Sequence, residues 1–239
     1  MESENDDIKL SASTLDALKE FYSERDQRQQ EFEDLKAEAE NQASDRNVDM
    51  AAFTEDWNAS QFWYSEDTAK SLAEQLLDGA TNDTWIAVVS APSVFVQLRN
   101  IMSNLPQNNR PQVRLLEYDD RFAVFSEFIF YDFNSPLKLP ADFKGRFNRI
   151  ICDPPFLSED CQTKAALTAR WLLRPDEPSK GANAGDKMII VCTGERMESL
   201  ILKVYPVKTT TFEPEHNGSR LSNAFRCYAN FECSAWRWR

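Results

Sequence analysis

Trp85-Ile86-Ala87-Val88-Val89-Ser90-Ala91-Pro92-Ser93 is the stretch from which the fold can be read. Five apolar residues rich in β-branching, too few for a helix, predict a strand buried on both faces, and such strands belong to parallel sheets. The small residues that follow lead into a helix through Val96, Leu98 and Ile101. The pattern then repeats: strands are expected over 113–118, 128–133, 149–152 and 187–193. Ser158, with Glu159 and Asp160 in the first turn behind it, reads as the cap of a helix running to about 173, and a further helix is expected over 195–204. Residues 209–212 and 225–231 read as a closing antiparallel pair. Strands alternating with helices imply an α/β fold with a doubly wound, mostly parallel sheet of seven strands. Ligands of such sheets bind beyond the carboxyl ends of the strands, where the strand order reverses.

Upstream of this core the chain changes character at Phe53. Trp57, Phe62, Trp63 and Tyr64 cluster ahead of a helical pattern through Leu72, Leu76 and Leu77, which Gly79 ends. Before Phe53, Ser13 and Asp16 resemble a capping box and Leu15, Leu18 and Tyr22 recur at helical spacing, so a short amphipathic helix is expected over 13–25. Residues 27–52 are rich in Glu, Gln, Asp and Ala and read as a solvated helix or linker. The expected organisation is an acidic helical extension over 1–52 and one domain over 53–239, with a loop over 174–186 around Pro175, Pro178, Gly181 and Gly185.

Charge narrows the function classes. The net charge is −12, and residues 1–50 hold fifteen Asp and Glu against six Lys and Arg, so about three quarters of the excess lies there. Gripping a nucleic-acid backbone calls for a basic face, and this balance argues against one. The five cysteines form no C-x-x-C pair and are odd in number, which points away from a zinc cluster or a disulfide framework and towards a reducing compartment such as the cytoplasm. No metal site is expected. No apolar run reaches the roughly 20 residues that cross a bilayer, so no membrane partner is expected. With a single histidine, His216, most chemistry built on a histidine base is excluded.

The strand ends supply the candidate site. Ser90, Ala91, Pro92 and Ser93 form a turn whose small side chains let a polar ligand approach a helix N-terminus, although an ordinary strand–helix connection reads the same way. Glu117 and Asp119 are carboxylates able to accept from ribose hydroxyls, or else a solvated strand end. Asp132 and Phe133 could receive an adenine amino group and stack on its ring, and an isolated turn Asp explains them equally. Asp153-Pro154-Pro155-Phe156 is more specific. Two successive prolines remove two donors and stiffen the bend, so carbonyls and the Asp153 carboxylate can converge as acceptors on an amino group, with Phe156 as a lid. Methyl transfer to nitrogen needs this arrangement, because the lone pair must be aimed in line at the methyl carbon. Asp153 or a water would take the proton that a lysine must lose first, and an aromatic face favours the methylammonium product.

These residues resemble a family. Asp153-Pro154-Pro155-Phe156-Leu157-Ser158 after the fourth strand is similar to the motif of class I amino-methyltransferases. Ser60 to Ser65, Val89 to Val94, Glu117-Tyr118-Asp119, Arg121 to Ala123, Glu127 to Asp132, Cys192-Thr193-Gly194 and Asn223 to Tyr228 together resemble the elongation factor 1-alpha lysine methyltransferases, a group once labelled N6-adenine DNA methyltransferases. The likeness covers about residues 53–232. It implies a Rossmann-like fold using S-adenosyl-L-methionine, and a protein substrate, elongation factor 1-alpha, that is basic and drawn to an acidic partner by charge. It also implies that Phe62, Trp63, Tyr64 and Ser65, with the Ser90 to Ser93 turn, hold the methionine part of the cofactor. By the same likeness Glu117 binds ribose and Asp132 and Phe133 hold adenine. Two other readings stand beside it. A nucleic-acid adenine methyltransferase would cradle a flipped base on the same four residues and show salt-sensitive binding; a non-catalytic module would keep the fold and bind no cofactor.

Overall fold

Alternate residues of β1 (Trp85–Val89) face opposite layers, and this alternation sorts the whole chain into a three-layer stack. Ile86 and Val88 pack with Leu72, Leu76, Val94 and Leu98 on one side. Ala87 and Val89 pack with Ala166, Ala169, Leu172 and Ile201 on the other. A strand covered on both faces must be apolar throughout, which is why the run at 85–89 was legible. Each large side chain buried this way contributes about 1.5–3 kcal/mol.

The computed structural model describes residues 61–175, 187–217 and 224–239, together with positions 16, 19, 20, 22, 23, 30, 33, 34, 50–53 and 55. The remaining strands are β2 (Gln112–Glu117), β3 (Phe128–Phe130), β4 (Arg149–Cys152), β5 (Met188–Gly194), β6 (Lys208–Thr209) and β7 (Phe225–Ala229). They form one seven-stranded sheet in the order β3-β2-β1-β4-β5-β7-β6. The first five pair in parallel, and β7 runs antiparallel to β5 and β6. Helices α1 (Glu66–Leu77) and α2 (Pro92–Ser103) cover one face; α3 (Glu159–Leu172) and α4 (Glu198–Val204) cover the other. The fold is the expected doubly wound, Rossmann-like α/β sheet.

Local chemistry sets the element ends. Ser65 caps α1 by accepting from the Thr68 N–H, and Gly79 reverses the chain after it with φ +63°. Arg149, buried on β4, donates to the carbonyls of Leu76 (2.8 Å) and Asp78 (2.7 Å), satisfying the orphan acceptors at the end of α1. Ser158 caps α3 as expected, accepting from Cys161 N–H.

The structure corrects several expectations. β3 stops at Phe130 rather than 133: the Tyr131 N–H still bonds Glu117 O, and Asp132 then opens a turn by accepting from Asn134 N–H through Oδ1. The links after β2 and β3, where no helix was expected, hold 3₁₀ turns, Asp120–Val124 and Ala141–Phe143. The helix expected over 195–204 opens with a 3₁₀ turn, Glu195–Met197. The strand expected over 209–212 shrinks to Lys208–Thr209, and the C-terminal tail takes its place beside this edge. Thr211 N–H donates to Arg237 O (2.8 Å), Arg239 N–H donates to Thr209 O (2.9 Å), and Trp236 is buried. The helix expected over 13–25, the acidic stretch to 52, Trp57 and most of the 174–186 loop lie outside the described residues, apart from the isolated positions given above.

Candidate active site

The strand order reverses between β1 and β4, because the chain leaves β1 towards β2 on one side and returns to β4 on the other. A cavity of about 630 Å³ opens beyond the carboxyl ends of these strands, within the size range of pockets that enclose drug-sized ligands. Its wall gathers Ser90 to Ser93 after β1, Glu117 at the end of β2, Asp132 and Phe133 beyond β3, and Asp153 to Phe156 after β4. Phe62, Trp63 and Tyr64 close the remaining side.

Each wall segment is fixed by its neighbours. Ser90 N–H donates to Leu116 O (2.9 Å) and Asp153 N–H to Val89 O (3.0 Å), so the ladder continues one residue past each strand. Ser90 has φ +53°, a left-handed conformation that costs a residue with a Cβ about 1–2 kcal/mol. The strained turn lets Pro92 start α2 at once, and the positive end of that helix faces the cavity. The 61–64 segment is pinned by the Trp63 indole N–H on Phe53 O (2.8 Å), the Trp63 N–H on the Glu55 carboxylate (2.9 Å) and the Tyr64 N–H on Ser93 Oγ (3.3 Å).

The 153–157 bend is anchored at its far end. The buried Gln162 amide donates to Phe156 O (3.0 Å) and to Thr193 Oγ1 (3.1 Å), and Arg196 donates to Leu157 O (2.7 Å). Gly194 lets Leu157 approach: a Cβ there would lie 2.7 Å from Leu157 Cδ1. With the carbonyls of Phe156 and Leu157 committed, the Asp153 carboxylate and the carbonyls of Pro154 and Pro155 are left as acceptors for a ligand. Phe133 and Phe156 meet edge to face at 5.7 Å across the rim.

Comparison with known proteins bears directly on this arrangement. The model of a family described as "Probable N6-adenine methyltransferase" matches residues 55–233. The protein-lysine N-methyltransferase EFM5 of Saccharomyces cerevisiae is 47% identical, covering 95% of this chain and 94% of its own length. The EEF1A lysine methyltransferase 1 of Mus musculus is 40% identical over 97% of this chain and 96% of its own, and that of Homo sapiens 38% over 93% and 92%. The chain belongs to the EEF1A lysine methyltransferase family. These relatives are named for methylation of protein lysine, while the adenine description is the family model's own.

In this methyltransferase the cavity is a site of displaced ionisation. Burial pushes the Glu117 carboxyl up to about 7, against the hydrogen bonds that its Oε1 accepts from Asp119 N–H (3.2 Å) and Tyr118 N–H (2.8 Å). Among the described residues no hydrogen bond reaches Oε2. Burial likewise pushes Asp153 up to about 7, with the Glu117 charge adding to the rise and Tyr64 opposing it. Burial holds His216 down to about 4, so the imidazole is neutral at physiological pH.

Two expected cofactor residues sit elsewhere. Ser65 is spent on capping α1, and Asp119 does not line the cavity. Against the cost of burial, hydrogen bonds from Arg121 and Gln61 hold the Asp119 carboxyl below the usual range. Its work is to fix Gln61 beside Phe62. The other expected residues line the cavity, and it also takes in Tyr118, Arg196, His216 and Phe225, which the sequence reading did not assign. His216 pairs with Tyr64 through an isolated antiparallel bridge and lies between the Tyr64 ring (4.8 Å) and the Phe225 ring (4.4 Å). Its motif neighbours at 224–228 were the available signal, because a segment shared within the family should touch the site.

Proposed function

We propose that this chain transfers the methyl group of S-adenosyl-L-methionine to a lysine ε-amine of translation elongation factor 1-alpha. The observation that carries the reading is the donor-poor Asp153-Pro154-Pro155-Phe156 bend facing the same cavity as Glu117 at the reversal of strand order. The names of the relatives supply the substrate. The cavity suits the cofactor on its own chemistry. The free Oε2 of Glu117 fits a ribose hydroxyl, Asp132 and Phe133 fit adenine, and the strained Ser90 turn at the positive end of α2 fits a carboxylate. When bound, the cofactor supplies an electrophilic methyl carbon on a cationic sulfur.

The chain's own groups do the rest. A lysine ammonium has a pKa of about 10.4 in water. Entry into a cavity walled by Phe133, Phe156 and Tyr64 disfavours its charged form. Asp153, ionising near neutrality, takes the proton, and Asp153 with the Pro154 carbonyl orients the remaining N–H bonds. The exposed face of Phe156 then accommodates a methylammonium. The five cysteines are free thiols, which supports a reducing compartment such as the cytoplasm. The test incubates the purified chain with labelled cofactor and, in separate arms, recombinant elongation factor 1-alpha, DNA and RNA, with mass spectrometry of the modified product. Label on a lysine of the factor is expected. Cofactor binding by calorimetry with no label on any lysine would overturn the substrate, and label on adenine would replace it.

A further inference from the structure

We infer that the Tyr64 hydroxyl contacts the accepting nitrogen during transfer, donating a hydrogen bond to the Asp153 carboxyl while keeping its proton, and accepting one substrate N–H on its oxygen. This inference rests on the function proposed above and gives Tyr64 a part in the chemistry, whereas the family resemblance implies only that it holds cofactor.

The ring is immobilised from three directions. Its backbone is tied to the first turn of α2 through Ser93 Oγ, its bridge partner is His216, and His216 is backed by Phe225 at the start of β7. The side chain is 3% exposed and lines the cavity, yet its hydroxyl has no hydrogen bond of regular geometry within the protein. It lies beside the Asp153 carboxyl and the Cys192 thiol, its hydrogen-bonding and electrostatic neighbours within the protein. Native interiors leave few polar atoms in that condition, and each calls for a reason. Of the other buried side chains with a polar atom in the same state, Arg99, Gln162, Tyr205 and Tyr228, none lines the cavity. Tyr64 is thus, among the described residues with such an atom, the one whose side chain borders the cavity, where its oxygen can take a ligand N–H.

A phenol offers one donor and two acceptor sites, so it can serve carboxylate and amine together. Burial, with the charges of Asp153 and Cys192 adding, keeps the phenol protonated, so it is a donor and not the base. The lysine proton goes to Asp153, and Tyr64 keeps its own. A donor beside Asp153 favours the ionised carboxylate, opposing the push from burial and from Glu117 on β2. The thiols of Cys152 on β4 and Cys192 on β5 also face this carboxylate; burial pushes the first up, and a hydrogen bond with Cys227 together with burial pushes the second up, so both stay uncharged. Arg196 lies on the cavity wall.

The experiment uses Tyr64→Phe in the full chain, which deletes the hydroxyl and keeps the ring against His216. Turnover at saturating cofactor and substrate is followed from pH 6 to 9, alongside a carbon-13 NMR titration of Asp153, cofactor calorimetry and thermal melting. A hydrogen bond to a charged group corresponds to about a ten- to hundredfold change, so kcat near pH 7 should fall by that factor. The acid limb and the Asp153 pKa should both move up, cofactor affinity should hold within about twofold, and melting should change little, because no hydrogen bond of regular geometry is lost. Unchanged kcat and unchanged Asp153 pKa would overturn the inference. So would weaker cofactor binding at unchanged saturated kcat, or a markedly lower melting temperature, which would mark a structural hydroxyl. A wild-type chain that transfers nothing sinks the proposed function instead, and the Asp153 titration still decides whether Tyr64 reaches it.

Discussion

Asp153→Asn should make the cofactor-free protein more stable at pH 8 while removing its activity. An aspartate in an unfolded chain ionises near 3.8, and in the folded site Asp153 does so at about 7. Between those values the folded state holds a proton that the unfolded state has released, so stability falls as pH rises through the window; above 7 the whole cost stands. The rise corresponds to about 4 kcal/mol, and water reaching the partly accessible side chain brings the expected figure to about 3 kcal/mol. Asparagine has nearly the same shape and no charge to desolvate, so it escapes the cost. Urea denaturation of both proteins from pH 4 to 9 reads the effect. With a slope of about 3 kcal/mol per molar, the midpoint of the variant at pH 8 should lie about 1 M higher. The gap should grow from pH 4 to 7 and then level off. Equal midpoints at pH 8, or a gap that narrows as pH rises, would refute the view that burial holds this carboxyl near neutrality at the expense of stability.

Glu117→Ala should weaken cofactor binding about 10- to 150-fold, the range for a hydrogen bond to a charged group; calorimetry giving an unchanged dissociation constant would take Glu117 out of the cofactor site. Gly194→Ala places a methyl 2.7 Å from Leu157 Cδ1, and the displaced bend should lower kcat by about tenfold or more with little change in cofactor affinity. Wild-type turnover in that variant would show that Leu157 gives way without moving Phe156. Ser90→Gly relieves a left-handed strain of about 1–2 kcal/mol and loses roughly 0.5–1 kcal/mol to the freer unfolded chain. A net gain of about 0.5–1 kcal/mol in urea denaturation is expected, and a loss would mean that the Ser90 side chain is needed.

What could be read from the sequence follows from how far each signal reaches along the chain. The runs at 85–89 and 149–152 announced central strands because burial on both faces leaves no polar alternation, and β1 has the bounds expected of it. Ser158 announced its helix because a cap is chemistry within three residues. β3 was overextended because Tyr131 and Phe133 continue its aromatic run; only the Asp132 turn, closed by hydrogen bonding, ends it. Asp119 read as a ribose ligand because a strand-end carboxylate looks the same whether it faces a ligand or an arginine. What claims it is Arg121 together with Gln61, and Gln61 lies 58 residues away. His216 was discounted as a base, and as a base it is indeed poor. Its place in the site depends on a bridge to Tyr64 across a long stretch of chain.

The site draws its character from the same long-range convergence. Glu117 and Asp153 are ordinary carboxylates on separate strands, and each alone would ionise near pH 4. Brought to strand tips on either side of β1 in one cavity, both are pushed to about 7, chiefly by burial, and the Glu117 charge adds to the rise of Asp153. A cation in that space reverses the balance by favouring both ionised forms, and this cavity is proposed to receive one that stays charged, the sulfonium of the cofactor. The charge that destabilises the empty protein therefore acts for the loaded one. The cost of holding the two carboxylates together is recovered only when their ligands arrive.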